Sequence, residues 1–498
     1  MATTPHGAQG AGHAPERAGG GVRGAGEGPR STGGGRPKTG DGRREANAAA
    51  VLRAVLDHGP VSRGAIARLS GLSPAAVSRQ ATDLARLGLL RERPDLWEGG
   101  TVGRPQIPVD LHLGEDGGPV AGGVHVGVPG STFGLVDLRG RVLARRALPH
   151  DGTDPRELPA RIARALGAFL ADHTEGRPLL GIGAALGGWV DPSSGVVVRH
   201  DALGWQGRSL AAELGAGIAG FTTRASGSAA GLGGFTGRSG SAVGLDGFTA
   251  GTSGGGARLG GFTAGTSGGG ARLDGFTAGP CGPAVRIDNH ARAIAQSEIL
   301  FGRPAARRSL VHLFVGTVVD AAVGIAGVVH QGPGSAAGDV SHLPVPESTA
   351  PCRCGRSGCL EATASDTALG QEARRRGIVP EPDVFLVVDA AAAGDRRADL
   401  LLRERARAVG RAAALLLDVL NPDLLVVTEY ASGLEPAYLD EIRGAALAFS
   451  HGCDDPERIV SPHAGPAVLP VAAGTVLLST LFKSPFGHAG PSPTRSGE

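Results

Sequence analysis

Three cysteines, Cys352, Cys354 and Cys359, fall within eight positions of one another. The chain has only 5 cysteines in 498 residues, so this is no disulfide scaffold. Clustered thiols in a cytosolic chain point instead to a metal. Cys281 and Cys453 stand apart and read as free thiols. A second group of informative residues lies far upstream. Ser73, Ala75, Ala76, Ser78, Arg79 and Gln80 are small or hydrogen-bonding side chains in close succession, which suits entry into a DNA major groove. Arg79 and Gln80 are the candidates for reading bases, since Arg pairs well with guanine and Gln with adenine. Arg104 sits in Gly103-Arg104-Pro105. There Gly lets the backbone approach, Pro stiffens the chain and Arg can enter a narrow minor groove.

These side chains need particular elements to carry them. Val51, Leu52, Val55 and Leu56 have helical spacing, and Gly59-Pro60 ends that helix. Ser62 caps a second helix with Ile66 and Leu69 facing inward. After the Gly71-Leu72 turn, Ser73-Pro74 opens a third helix whose buried stripe is Val77, Leu84 and Leu87, and Gly88 stops it. Two short strands around a Gly-rich tip, one near Leu89–Glu92 and one ending near Val109, make a wing. The sum is a winged helix-turn-helix over residues 47–112. Between Arg43 and Arg104 there are ten Arg/Lys and six Asp/Glu, a net +4 in a chain whose total is +2. The basic excess sits where phosphate contact is expected. A three-helix protein-interaction module is the alternative, and it predicts no salt-dependent binding to duplex DNA.

Composition sets the frame for the remainder. The chain carries 49 basic and 47 acidic side chains, so a uniformly basic nucleic-acid coat is excluded. Glycine is the outlier at 85 residues, far above an average near 7%. Much of it lies in two segments. Residues 1–46 are Gly, Arg, Pro and Ser with few aliphatics and are expected to be a disordered tail. Residues 215–283 repeat Gly-Phe-Thr at Gly220, Gly234, Gly247, Gly261 and Gly275. Each repeat offers only one Phe and one Leu as core, so a flexible expanded loop is preferred to a solenoid. Residues 118–214 and 284–484 alternate strand-like and helical runs, the pattern of an α/β body, and 485–498 read as a loose tail. No run of about 18 apolar residues predicts a membrane span, and the N-terminus has no apolar signal core. A cytoplasmic protein without a membrane partner is expected.

The chain resembles the ROK family (repressors, open reading frames, sugar kinases), in its winged-helix repressor branch. The resemblance rests on Gly338-Asp339-Val340-Ser341-His342 followed by Cys352-Arg353-Cys354-Gly355-Arg356-Ser357-Gly358-Cys359-Leu360-Glu361. The family pattern is Gly-Glu-x-Gly-His, then Cys-x-Cys-Gly-x-x-Gly-Cys-x-Glu. It implies an actin-like (ribonuclease H-like) two-lobed body in which the body carries its zinc site in the second part. His342 with the three thiolates makes a closed Cys₃His set, so a structural rather than catalytic zinc is expected. The resemblance also implies sugar contacts by His342, Asp339, Glu361, Gly187 and Asn289. Asp339 stands where the family usually has Glu, one methylene shorter, and Ser341 replaces a Gly. Trp205, in Leu203-Gly204-Trp205, is a ligand contact or a packing residue.

A ROK kinase needs a catalytic Asp in an Asn-Asp-Ala segment, and here Asp288-Asn289-His290-Ala291 puts His290 in that place. The phosphate turns differ as well. They read Val124-His125-Val126-Gly127, Gly316-Thr317-Val318-Val319-Asp320 and Val427-Thr428-Glu429-Tyr430, with introduced acids and lost backbone room. No ATP is expected as cofactor, and His290 joins the effector candidates. The resulting reading is a sequence-specific DNA-binding transcriptional regulator, a repressor in sign. Its kinase-dead body serves a sugar or sugar-derived effector, or only oligomerisation. Two-fold-related half-sites imply a homodimer or a dimer of dimers. The enzyme alternative is an ATP-dependent sugar kinase with an accessory winged helix.

Overall fold

A computed structural model of the chain describes residues 39–96, 107–174, 176–225 and 284–487. The expected wing tip with Arg104, most of the repeats, Cys281, residues 1–38 and the last eleven residues lie outside them.

The head forms as its sequence directs. Helix α1 (Thr39–His58) buries Ala48, Val51, Leu52 and Val55. It begins eight residues before the expected domain start, within a stretch whose Gly and Arg content reads as tail. Helix α2 (Arg63–Ser70) is capped by Ser62, whose Oγ accepts from Ala65 N at 3.2 Å. It ends at Gly71, where φ of +69° favours glycine. Helix α3 (Pro74–Arg86) has Ser73 as N-cap and Pro at its start. Val77, Ala81 and Leu84 are buried, while Leu87 is half-buried. Leu69 does not face inward: it is 51% exposed, because the single buried position of this two-turn helix is Ile66. Strands β1 (Leu90–Glu92) and β2 (Val109–Leu111) pair antiparallel with Leu90 opposite Leu111 and form the base of the wing.

The body repeats one arrangement twice. In the first lobe, β3 (Val120–Val126), β4 (Gly130–Val136) and β5 (Val142–Pro149) form an antiparallel meander. Helix α4 (Leu158–Thr174) leads to β6 (Leu179–Leu186), parallel to β3. A small sheet of β7 (Trp189–Asp191), β8 (Val196–His200) and β9 (Trp205–Arg208) precedes α5 (Leu210–Ala225). Strand β10 (Val285–Asn289) completes the order β10-β6-β3-β4-β5. Helix α5 runs ten residues or so into the expected insertion and takes up the first Gly-Phe-Thr unit, which reads as repeat only by comparison with later copies.

The second lobe starts with α6 (His290–Phe301), β11 (Ser309–Val315), β12 (Val319–Ile325) and β13 (Val328–Val329). Helices α7 (Leu360–Ala364), α8 (Asp366–Arg375), α9 (Val384–Ala392) and α10 (Arg396–Leu420) follow, then β14 (Leu424–Glu429), α11 (Tyr430–Leu434), α12 (Pro436–Phe449) and β15 (Ile459–Val460). Its order, β13-β12-β11-β14-β15, has the same pattern of antiparallel and parallel pairs as the first lobe. Helix α13 (Val468–Lys483) then returns to the first lobe and lies on β3, β4 and β6. A Cβ on Gly183 would stand 2.0 Å from Ala473 O, and one on Gly474 2.3 Å from Val136 Cγ2. Glycine at these positions lets helix and sheet backbones touch. Among the described residues this is the one helix long and apolar enough to cross a membrane, yet 67% of that stretch is buried inside the protein. Its apolar character serves the core.

Head and body share a continuous core in which Val51, Ile66 and Leu84 join Leu138, Leu300, Leu477 and Phe482. Phe486 continues it under Arg44, whose guanidinium lies 4.4 Å from the ring centroid, so the expected loose tail begins only beyond this residue. Polar ties surround the seam. Arg139 donates to Leu56 O (2.9 Å), Gly59 O (3.2 Å) and Asp110 Oδ1 (2.7 Å). Arg307 grips both oxygens of Asp57 at 2.8 Å. Arg139→Met would leave two carbonyls and the buried Asp110 without this partner. The expected loss is about 2–4 kcal/mol, measured by urea unfolding of the full chain; an unchanged midpoint would contradict the role given to Arg139.

Candidate DNA interface, metal cluster and interlobe cleft

On α3, Ser73, Ala75, Ser78 and Arg79 are exposed on one side, as a groove-reading helix requires. Gln80 is not with them. It is 4% exposed and points into the head, so it is removed from the base-reading candidates. The reason is periodicity: Gln80 lies three residues after Val77 and four before Leu84, on the buried stripe.

The cysteine loop closes on itself through backbone geometry. Pro344 bridges to Cys359 and Pro351 to Ser357, and Cys352 N donates to Arg356 O at 2.8 Å. Gly358 has φ of +73°, and a Cβ there would lie 2.5 Å from Ser348 O. The turn brings Cys354 Sγ to 3.7 Å from Cys359 Sγ and His342 Nδ1 to 3.6 Å from Cys352 Sγ. All four donor atoms fall within 4.8 Å of one another. Tetrahedral zinc with Zn–S near 2.3 Å and Zn–N near 2.0 Å separates its ligands by roughly 3.3–3.8 Å. The residues therefore fit a closed four-ligand metal site, with Nδ1 as the imidazole donor.

Between the lobes, Gly188, Asn289, Asp320, Asp339, Arg353 and Glu361 line a cleft. Asp339 accepts from Ser341 Oγ at 2.5 Å. Glu361 meets Arg353 at 2.9 Å, and the same guanidinium reaches Asp201 of the first lobe at 3.6 Å. Burial pushes the Glu361 carboxyl up from the usual range, opposed by Arg353. Gly187 stands behind the lining, where a Cβ would strike Val318 and approach His290. His342 faces the cysteines. Trp205 is buried and donates to Pro155 O at 2.8 Å, so it is a packing residue.

The floor of the cleft is a hydrogen-bonded chain. His290 Nε2 lies 3.0 Å from Asp320 Oδ2, and His290 Nδ1 lies 3.4 Å from His125 Nε2. Asp320 Oδ2 also accepts from Asn289 Nδ2 (3.1 Å) and Gly188 N (3.2 Å). Burial works against ionising Asp320, but the bonds from His290 and Asn289 hold its carboxyl below the usual range. His290 thus occupies the position of the expected catalytic Asp while tied to Asp320, the acid that the sequence puts at the second of the expected phosphate turns. At the third turn, Glu429 faces Arg405 at 2.9 Å with both side chains buried, and Asp366 pairs with Arg405 at 2.7 Å. The acids that the sequence introduces are consumed internally. Asp288, Arg292, Arg353, Arg405 and His312 belong to these networks, His200 lines the cleft, and none of them was a sequence candidate. Only the Asp288–Arg292 pair, four apart across a helix start, carries a local signal.

Against this geometry the comparisons with known proteins are specific. Residues 280–453 match the ROK family and residues 45–95 the MarR family. The chain is 31% identical over 474 residues to Transcriptional regulator Rv0485 of Mycobacterium tuberculosis, covering 89% of this chain and 87% of that protein. It is 25% identical over 419 residues to the N-acetylglucosamine repressor of Escherichia coli O6:H1, covering 81% and 86%. The crystal structure of a ROK family transcriptional regulator, a homologue of the E. coli MLC protein, superposes with a TM-score of 0.59 at 20% identity and covers 89% of this chain and 100% of that one. A MarR-type winged helix on an actin-like body of the sugar-kinase fold defines a class of DNA-binding regulators. The chain belongs to the ROK family and is one of its transcriptional regulators.

Burial holds three histidines of the cleft floor neutral, pushing His125 and His312 down to about 3 and His200 to about 4. His312 Nδ1 donates to Ala291 O (3.0 Å) and its Nε2 accepts from Thr428 Oγ1 (2.8 Å), a neutral tautomer. Unfolded, each would take a proton near pH 6.5. The unfolded state therefore binds more protons below that pH. Their contribution to stability is complete above about pH 6.5 and is lost progressively as the pH falls through the folded values of about 4 and 3. Urea midpoints measured from pH 7.5 to 5 are expected to decline, less steeply in His312→Gln. Parallel slopes in the two proteins would refute this assignment for His312.

Proposed function

We propose that this regulator is a sequence-specific repressor, working in the cytoplasm, whose body answers a sugar or sugar-derived effector without transferring phosphate. The observation that carries the reading is His290 bound to Asp320 at 3.0 Å in the place of a kinase's catalytic carboxylate, beneath a head that exposes Arg79. Proton removal from an attacking hydroxyl needs a free base, and a polyphosphate needs room and positive charge. Here the base is engaged, and carboxylates stand at two of the three phosphate turns. The cleft wall still presents hydrogen-bonding groups suited to hydroxyls, in Asn289, Asp339 and Glu361. Relatives named as repressors, one for N-acetylglucosamine, support both the sign of regulation and the class of effector.

A two-fold assembly, as homodimer or dimer of dimers, would place paired α3 helices on two half-sites. An effector would act only through unequal affinity for two body states. The metal of the Cys₃His cluster is zinc in this reading, bracing the loop that carries Arg353 and leads into Glu361. It would supply structure and no chemistry, since the four residues fill its shell.

The test is selection of bound fragments from genomic DNA by the purified chain, with and without a panel of sugars and sugar phosphates. Enrichment of a palindromic site whose occupancy changes with one sugar is expected. Phosphorylated product from ATP and the panel, with no site enriched, would reject the reading. Arg79→Ala should cost about 1–3 kcal/mol at the selected site and relax its base preference; equal weakening on every sequence would remove Arg79 from base reading. Cys354→Ser should lose the bound zinc, one equivalent per chain in wild type by elemental analysis, and lower the unfolding midpoint. Retained stoichiometry would contradict the ligand set.

A further inference from the structure

Helix α6 touches both the cleft and the head. Its N-terminus is built into the cleft floor. Asn289 caps it, with Oδ1 accepting from Ala291 N (2.8 Å) and Arg292 N (3.3 Å). The same side chain donates through Nδ2 to Gly188 O (2.8 Å) and to Asp320. His290, its first residue, packs at a tilt against Phe314 at 3.9 Å between centroids and joins His125 to Asp320. Arg292, two residues on, holds Asp288 (2.7 Å), Val190 O (2.7 Å) and Ser335 O (2.9 Å), and Ser335 lines the cleft.

The other end is built into the seam with the head. Ile299 O, left open at the last turn as helix carbonyls are, accepts from Arg53 of α1 at 3.1 Å and from Arg307 at 3.3 Å. Arg53 and Arg307 both hold Asp57 of α1. Leu300 belongs to the head's core cluster, and Phe301 packs against it. Between the two ends His290–Leu300 is buried throughout, so the helix has no soft, solvated turn. Twelve residues at 1.5 Å each make a rod of about 18 Å.

We infer that α6 is the mechanical link between cleft and head: a shift of Asn289 and His290 at the cleft floor moves Ile299 and Arg307, and through Asp57 reorients α1 and the DNA-reading helix packed on it. A buried helix in a close-packed core moves as a body rather than bending, and the polar contacts at its two ends give it discrete alternatives to exchange. The inference uses the effector reading for its purpose only. Coupling between the ends is a property of the chain by itself, so the test contains no ligand, and its failure would leave the effector reading standing.

The experiment is amide hydrogen exchange on the full chain in four forms: wild type, Asp320→Asn, Arg307→Met and the double variant. His290→Gln replaces Asp320→Asn if that variant does not fold. Asp320→Asn is expected to raise exchange in peptides from α1 and α2 by about threefold or more, and Arg307→Met to do the same at Asn289–Ala293. In the double variant the effect on the head should be no larger than in Arg307→Met alone, because the link is already cut. Peptides of α12 report global loosening and should stay unchanged. Head peptides unmoved by the cleft variant, effects that simply add in the double variant, or an equal rise in α12 would each overturn the proposal.

Discussion

An ionised carboxylate buried at the meeting point of two lobes needs hydrogen-bond donors to offset its desolvation. Asp320 meets this requirement with donors from three directions. Gly188 N comes from the end of the first lobe, Asn289 Nδ2 and His290 Nε2 from the junction, and the acid itself from β12 of the second lobe. Oδ2 is thus one point at which the lobes are tied together. Other features of the cleft follow from that. Asn289 is fixed well enough to cap α6, and His290 is aligned on His125. The joint is built from His290 and Asp320, two of the positions at which the sequence departs from the kinase pattern.

The head is attached in a different manner. Its contact with the body is mostly apolar, a core shared across the seam, with arginines at its rim that satisfy carbonyls and acids of α1 and β2. Arg139 is the sharpest case. One guanidinium closes the C-terminus of α1 at Leu56 O, the turn at Gly59 O and the wing base at Asp110. A planar five-donor group can do this where a lysine could not. The head is thereby oriented as a unit, with α3 held by its own apolar stripe and its outer face left free.

Much of this was legible before the fold was known. Serine caps at 62 and 73, the glycine turn at 71 and the alternation of the body announce their elements because local chemistry determines them. The cysteine spacing announces the metal cluster, since only a tight loop can follow from it. What failed was the reading of individual faces. Gln80 looks like a base reader by type, but the 3.6-residue period turns it inward. Leu69 looks like core by type, and the short helix leaves it outside. Composition misled at two boundaries: glycine-rich sequence is helical from Thr39 and through Ala225, where neighbouring helical turns override a weak preference. The joint at Asp320 was out of reach, because its partners lie 30 or more residues away in sequence and meet only through the crossing of two sheets.

The placement of α13 also bears on how the chain is made. The first lobe's sheet is formed by residues 120–289, yet the helix that covers one of its faces lies at 468–483, almost two hundred residues later. The head's core also takes in Val471, Leu477, Leu481 and Phe482 of α13, so it too is completed only when that helix is made. One face of the first lobe's sheet, with Gly123 and Gly183, stays uncovered until α13 has been made. Completion of the first lobe is thus a late event, and a chain arrested before residue 468 carries an open apolar sheet that invites chaperones or aggregation.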